Sequence, residues 1–214
     1  MPRFPALVLT LAVAAALGTH AGPGHGASAD EFGAAFAQYQ EAMQGKSDAI
    51  APSATRWREL SDAAPTDPVL RAYAGSATTM LATTTMLPWR KMGHAEDGLA
   101  LLDKALAQLT PAHDAPSHQG IPASLSTRFV AASTFIALPA MFNRKERGER
   151  LLQEVLTSPL LAATHPDFRA TVWMTAARHA QKEKRTDEAR QWLQKVAEGG
   201  SKHAASAAQR LKEL

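Results

Sequence analysis

Apolar residues recur at intervals of three and four positions along most of the chain, and this spacing predicts amphipathic helices. The first predicted helix covers residues 30–44, where Phe32 and Phe36 lie on one stripe. The same spacing predicts further helices over residues 49–63, 68–85, 95–109, 124–138, 145–156, 167–183, 186–197 and 201–214. Proline is expected to interrupt the pattern at Pro88 and to end or kink a helix at Pro139. Alanine and leucine dominate and runs of β-branched residues are almost absent, which indicates an all-α fold.

Three charged segments, residues 96–106, 146–156 and 187–196, share one pattern of small and large side chains. Their alignment superimposes three sets of residues, which are Gly98, Gly148 and Ala189, then Leu102, Leu152 and Leu193, then Ala105, Val155 and Val196. A small residue lets two helices approach closely, whereas a large one fills the space between neighbouring pairs. The recurrence predicts antiparallel helical pairs stacked as a solenoid, with residues 201–214 as a C-terminal capping helix.

The last predicted pair resembles a tetratricopeptide repeat. Six residues fall in a single register at its fourth, eighth, eleventh, twentieth, twenty-fourth and twenty-seventh positions, namely Trp173, Ala177, Ala180, Ala189, Leu193 and Val196. Upstream, the small residues are spaced more widely than the roughly 34 residues of that repeat. The resemblance therefore implies insertions, which fall over residues 83–94 and 110–123. Gly75 is the expected small residue in the partner helix of Gly98.

Two segments of the middle third, LPWRKMGHAEDGLALLDKAL and RFVAASTFIALPAMFNRKERGERLLQEVL, extend this resemblance. They are similar to segments of a group of uncharacterised exported bacterial tetratricopeptide-like proteins. That similarity implies the helical-repeat fold and carries no implication for chemistry.

The first 29 residues are predicted to be a cleavable export signal. Arg3 is their early charge, an apolar run follows over residues 6–17, and small residues precede the cleavage site expected after Ala29. Ala21 is an alternative site. The apolar run is shorter than the about 20 residues needed to cross a bilayer, so no transmembrane span is expected. The remaining chain, residues 30–214, is predicted to form one helical-repeat domain that is periplasmic or secreted.

Charge and cysteine content narrow the range of partners. The chain has no cysteine, which excludes disulfides, zinc-thiolate sites and thiol nucleophiles. Its formal net charge is +3, and much of the basic surplus falls between Arg178 and Lys212. On an exported protein, such a surface indicates anionic lipid, polysaccharide or acidic peptide rather than nucleic acid. A solvated helix surface without a partner would give the same pattern.

Helical repeats of this type bind along the wall formed by the first helix of each pair. In the fourth pair that wall is expected to present Met174, Arg178, Gln181 and Lys182, and the two cations suit a carboxylate. Upstream pairs are expected to contribute smaller residues, namely Ala72, Ser76, Thr79, Met80, Ser133 and Ala137. The hypothesis is an extended peptide or partner segment in this groove. The alternative is a surface used only for packing.

A second candidate partner-binding cluster is Trp89, Arg90 and Lys91, which follows Pro88 in the first insertion. An aromatic ring beside two cations suits an anionic partner. In the alternative interpretation, Trp89 packs on the next helix while Arg90 and Lys91 are solvated.

No catalytic signature accompanies the repeats. The chain contains neither a Gly-x-Ser-x-Gly elbow nor a glycine-rich phosphate loop. Methionine and histidine suggest two metal alternatives, copper at Met80, Met86, Met92 and His94, and a divalent ion at His113, Asp114 and His118. Six-residue spacing on a helix disfavours the first, and the lack of a third strong ligand disfavours the second. We therefore expect a non-enzymatic adaptor without a cofactor. The competing hypothesis is an enzyme or ligand-carrying protein with its site in the 83–94 and 110–123 insertions.

Overall fold

The computed structural model describes residues 27–214, and most of them lie in helices. The α-helices of this range are α1 Ala29–Met43, α2 Ser47–Ala63, α3 Pro68–Met80, α4 Pro88–Ala107, α5 Ala123–Ala137, α6 Lys145–Thr157, α7 Pro159–Ala162, α8 Pro166–Lys182, α9 Thr186–Glu198 and α10 Ala204–Lys212. Within residues 27–214, β-structure is limited to an isolated bridge between Pro116 and Pro122. The predicted all-α class is confirmed for the described residues. None of these helices combines the length and the apolar character needed to cross a bilayer.

The start of α1 lies within the predicted export signal, most of which, residues 1–26, falls outside the described residues. Ser28 caps this helix, since its Oγ accepts a hydrogen bond from the Glu31 N–H at 3.2 Å. Glu31 completes a capping box by accepting from the Ser28 N–H at 3.0 Å. The first helix therefore begins at Ala29, the residue after which cleavage is predicted.

Consecutive helices pack together as pairs, α1 with α2, α3 with α4, α5 with α6 and α8 with α9, and α10 packs on α9. First helices of successive pairs also touch, α3 with α5 and α5 with α8. A chain of hydroxyl groups links three of these first helices. Tyr39 Oη lies 2.8 Å from Ser76 Oγ, and the Thr134 hydroxyl donates to the same Ser76 oxygen at 2.8 Å. Helices α1, α3 and α5 therefore lie side by side.

Glycine lets two of the pairs approach closely, as the repeated pattern predicts. A Cβ atom added to Gly98 would lie 2.5 Å from the carbonyl oxygen of Gly75 and 2.5 Å from Thr79 Cγ2. One added to Gly148 would lie 2.9 Å from Phe135 Cβ. All three distances are shorter than van der Waals contact, so only glycine fits at this separation of the helices. The large residues of the pattern, Leu102, Leu152 and Leu193, are buried, as predicted.

An aromatic cluster joins the first two pairs. The Trp57 side chain is fully buried and stacks on Tyr73 with ring centroids 4.5 Å apart. Phe32 and Tyr39 approach Tyr73 edge-on, at 5.8 Å and 5.1 Å. Edge-on and stacked contacts are the favoured geometries of aromatic pairs, so the cluster fixes α1 and α2 against α3.

Two predicted helix starts are wrong, and one short helix was missed. Pro88 does not interrupt a helix but begins α4, because the first helical position needs no N–H donor. Ser201 does not cap the terminal helix, since its Oγ accepts from the His203 N–H at 3.2 Å in the turn before α10. The short helix α7, capped by Ser158, was not predicted. One turn of helix is too short to show a hydrophobic period.

Candidate partner-binding surfaces

Three cations meet where α8 and α10 lie together. Arg178 and Lys182 are exposed and four residues apart on α8, which places them side by side on one face. Arg210 on α10 donates a hydrogen bond to Gln181 Oε1 at 3.1 Å. Arg210 therefore lies near Arg178, whose pKa its charge lowers, and we call Arg178, Lys182 and Arg210 the C-terminal basic patch. Sequence analysis missed Arg210, because its position depends on how α10 folds back onto α9.

The C-terminal basic patch has no internal counter-charge. None of its three cations forms an ion pair with a carboxylate of residues 27–214. Arg178 is exposed by surface area, yet packing around its guanidinium and then the charge of Arg210 lower its pKa. Like charges held close together disfavour one another, and a bound anion relieves that repulsion. The patch is therefore suited to a carboxylate or phosphate group.

The predicted wall does not continue upstream of α8 as a groove. Met174 is half-buried against the C-terminal core, and Ser133 and Ala137 keep some exposed surface. Ala72, Ser76 and Thr79 of α3 are instead buried, at 0%, 3% and 7% exposure. The reason is the direct packing of α1, α3 and α5 through the hydroxyl chain at Ser76, which leaves no space between them. The prediction of groove-lining positions on α3 is wrong for these three residues.

Trp89, Arg90 and Lys91 lie in the first turn of α4 and are all exposed. Trp89 is 68% exposed, so the alternative in which it packs on the next helix is wrong. The structure does not bring this cluster together with the C-terminal basic patch. The α5–α6 pair packs against α3 and α4 on one side and against α8 on the other.

A histidine and glutamate cluster that the sequence analysis did not single out lies in an open cleft of about 410 Å³ between α6, α8 and α9. The His179 side chain is buried, and its Nε2 lies 2.9 Å from Glu149 Oε1. Its buried Nδ1 has no hydrogen-bond partner within the described residues. Nearby, Lys145 Nζ donates to Glu183 at 2.7 Å, which lowers the pKa of Glu183 and raises that of Lys145. The cluster joins the third and fourth pairs through paired charges.

The long connection between α4 and α5 is held to the first two pairs by one histidine. His118 Nε2 lies 2.7 Å from Asp67 Oδ2, and the His118 ring stacks on Phe32 with centroids 4.3 Å apart. We call this contact the His118 latch. Burial alone would raise the pKa of Asp67, but the hydrogen bond and charge of His118, with two backbone N–H groups at the start of α3, lower it.

The residues of the two metal alternatives are not brought together. His118 serves the latch, whereas His113 Nδ1 lies 3.0 Å from the Thr110 backbone nitrogen. Met80 packs beside Ala42 and Ile50, while Met86 is 86% exposed on the connection before α4. Over the described range, no three His, Asp or Glu side chains are grouped so that they could hold a metal ion.

Two surfaces, the C-terminal basic patch and the start of α4, thus present exposed cations without a carboxylate partner in the described part of the chain. Each can attract an anionic group, and the start of α4 adds an exposed aromatic ring. In the cluster of His179, Glu149, Lys145 and Glu183, in contrast, Lys145 forms an ion pair with Glu183 and Glu149 lies against His179 Nε2. No family model, curated protein or solved structure matches this chain.

Proposed function

We propose that this protein is an exported, non-enzymatic adaptor of the tetratricopeptide-like class that binds an acidic segment of a partner protein. The proposal combines the export signal expected at residues 1–29, a stack of antiparallel helical pairs and the C-terminal basic patch. The helical stack supplies a rigid support, and the patch supplies the contact.

The order of the helix contacts supports a tetratricopeptide-like solenoid. The first pair packs on the second through α2 and α3, the second packs on the third through α3 and α5, and α10 covers the last pair. Within that pair, the positions that match the small residues of the repeat, Ala177, Ala180 and Ala189, are fully buried. Stacked repeats of this kind contact only their neighbours and offer an extended surface for binding.

The observation that carries the proposal is the meeting of Arg178, Lys182 and Arg210 without a carboxylate of their own. The two carboxylates nearest in sequence are engaged elsewhere, Glu183 with Lys145 at 2.7 Å and Glu213 with Gln209 at 3.0 Å. A guanidinium binds a carboxylate through two parallel hydrogen bonds, and a lysine adds a flexible donor. The patch therefore fits an acidic segment.

The state of the His179 cluster supports a binding role rather than catalysis. A general base works best when its pKa lies near the working pH. Lys145 lowers the pKa of Glu183, further from a neutral working pH, and so makes Glu183 a weaker base. The cleft is also open to solvent, which weakens electrostatic effects on a reacting group.

The proposal is tested by reversing the two cations of α8. Partners captured from the cell envelope by the wild-type protein are purified singly, and their affinities are measured by calorimetry. For a partner that uses the patch, Arg178→Glu with Lys182→Glu weakens binding by at least about tenfold, or about 1.4 kcal/mol. The Arg178 guanidinium is partly packed and donates a hydrogen bond to Thr175 Oγ1 at 3.1 Å, so circular dichroism and urea unfolding check that the fold is retained.

The matched control reverses two exposed cations elsewhere, Lys104→Glu with Lys195→Glu, and gives the same change in net charge. Lys104 lies in the last turn of α4 and Lys195 in the last turn of α9. Affinity within about twofold of wild type is expected for this control. If both double variants bind every captured partner equally, the patch is not the binding site and the proposal is wrong.

A further inference from the structure

Three large apolar side chains lie exposed within four positions of one another, where α3 connects to α4. Met86 is 86% exposed, Trp89 68% and Leu87 38%. Arg90 and Lys91 follow directly and are also exposed. We call these five residues the α4 tip. Exposed apolar groups concentrated at one place indicate an interaction site.

The α4 tip projects beyond the packed helices. Gly98 of α4 packs against Thr79, one residue before the end of α3. Helix α4 begins ten residues before Gly98, at Pro88, and the 3-10 turn Leu81–Thr83 that follows α3 packs along part of this stretch. The exposed first turn of α4 lies at the far end of the stretch, past the end of α3. This projection coincides with the first insertion that the tetratricopeptide resemblance implies.

The base of the projection is well supported. Met80 and Leu81 pack against a small apolar cluster of Ala42, Ala49 and Ile50. The hydroxyls of Thr83 and Thr84 each donate to a backbone carbonyl three residues earlier, both at 2.8 Å. Polar groups that are satisfied within the connection lower the free-energy cost of moving the tip into less polar surroundings.

The charge of the α4 tip has one sign. Residues 81–95 include Arg90 and Lys91 and contain no acidic residue. Neither cation forms an ion pair with any carboxylate of the described chain. The first acidic residues after the tip, Glu96 and Asp97, lie more than a helical turn further along α4. An anionic surface is therefore the complementary partner.

We propose that the α4 tip docks the protein on the surface of an anionic phospholipid bilayer. Trp89 and Met86 enter the headgroup region, where an aromatic ring with one polar N–H is well accommodated. Arg90 and Lys91 bind lipid phosphates. This contact is independent of the adaptor function, which rests on the C-terminal basic patch.

The shape of the tip favours a lipid surface over a protein partner. A protein hot spot is usually an aromatic or arginine anchor inside a well-packed, desolvated pocket. The tip instead consists of exposed side chains, and none of them lines the cleft between α6, α8 and α9 or the cleft beside the His118 latch. Apolar residues beside cations are the combination that holds interfacial segments on membranes.

The test measures co-sedimentation of the purified chain, starting at residue 22, with vesicles of phosphatidylglycerol and phosphatidylcholine in equal amounts. Vesicles of phosphatidylcholine alone serve as the neutral comparison. We expect partitioning at least about tenfold stronger on the anionic vesicles. Met86→Ser with Trp89→Ser, and separately Arg90→Glu with Lys91→Glu, should each reduce that binding at least about tenfold.

Two controls carry the same chemical changes at other places. Met141→Ser removes another exposed methionine, and Lys104→Glu with Lys195→Glu makes the same change in charge, and both should bind within about twofold of wild type. Trp173→Phe with Trp192→Phe leaves Trp89 and the fully buried Trp57, so quenching by lipids brominated near the headgroup reports on Trp89. Absence of binding to anionic vesicles, an unquenched Trp89, or equal loss in tip and control variants overturns the proposal. The proposal is also overturned if the tip variants bind anionic vesicles as the wild type does and lose only the binding of a protein partner.

Discussion

At the scale of single residues, the separation of the helices is set by positions without a side chain. Gly75 and Gly98 bring α3 and α4 together, and Gly148 does the same for α5 and α6. The packing role of Gly98 and Gly148 could be predicted from the sequence, because each begins the same small-then-large pattern. The hydroxyl chain through Ser76 could not, because it joins three helices that are far apart in sequence.

Gly98→Ala should lower the free energy of unfolding by about 1 to 3 kcal/mol, because its Cβ would meet backbone atoms of α3. The nearest of these is the Gly75 carbonyl oxygen, at 2.5 Å. Urea unfolding measures the change. Gly33→Ala is the matched control, since a Cβ there meets nothing within 4 Å, and it should stabilise α1 by about 0.5 to 1 kcal/mol. Equal effects of the two substitutions would contradict the close approach.

At the scale of elements, most helices could be predicted because apolar spacing and proline marked them. Errors arose where one residue type serves two purposes, as Pro88 does in starting a helix rather than interrupting one. The long connection between α4 and α5 was recognised as irregular, but its contacts were not. The His118 latch joins residues 51 positions apart, and no local pattern encodes such a pairing.

Asp67 serves two elements, since its carboxylate caps α3 and holds His118. Asp67→Ala should lower the free energy of unfolding at pH 7 by about 2 to 4 kcal/mol, as both interactions are lost. Asp67→Asn should cost less, because asparagine still caps a helix. Urea unfolding of the three proteins gives the ranking, and an alanine variant as stable as the asparagine one would contradict it.

The same latch should make stability depend on pH in acid. The pKa of Asp67 in the folded protein is lowered, so the carboxylate stabilises the fold above its ordinary value of 3.8. That stabilisation is lost as the pH falls through the lowered folded value. The difference between wild type and Asp67→Asn should therefore shrink as the pH falls below about 4. A difference that stays constant down to pH 2 would show that the charge of Asp67 contributes nothing.

At the scale of the whole molecule, α10 connects the stability of the fold with the proposed binding surface. Ala207 of α10 is fully buried against Leu193 and Val196 of α9, and Arg210 completes the C-terminal basic patch. A capping helix at this end could be predicted from repeat logic, because an uncovered last pair would expose its apolar face. The position of Arg210 could not be predicted, since rotating α10 by part of a turn about its own axis would direct that side chain elsewhere.

Ala207→Asp should detach α10, because it places an unpaired carboxylate in an apolar contact. We expect a melting temperature lower by at least about 5 °C. Affinity for a partner that uses the patch should fall as well, since Arg210 leaves with the helix. Ala205→Asp makes the same chemical change at an exposed position of α10 and should alter neither quantity. A stable Ala207→Asp variant that keeps full affinity would separate α10 from the binding surface.

The hydrogen bonds between Ser28 and Glu31 bear on where the export signal proposed for residues 1–29 would be removed. Peptidases bind their substrates as extended strands, whereas the bond after Ala29 lies in the first turn of a closed helix. Removal of a leader at Ala29 must therefore precede folding, and it leaves the mature first helix without Ser28. Removal at Ala21 would retain Ser28. An N-terminal residue of Gly22 rather than Asp30 in the protein isolated from cells would therefore show that the cap of α1 is kept.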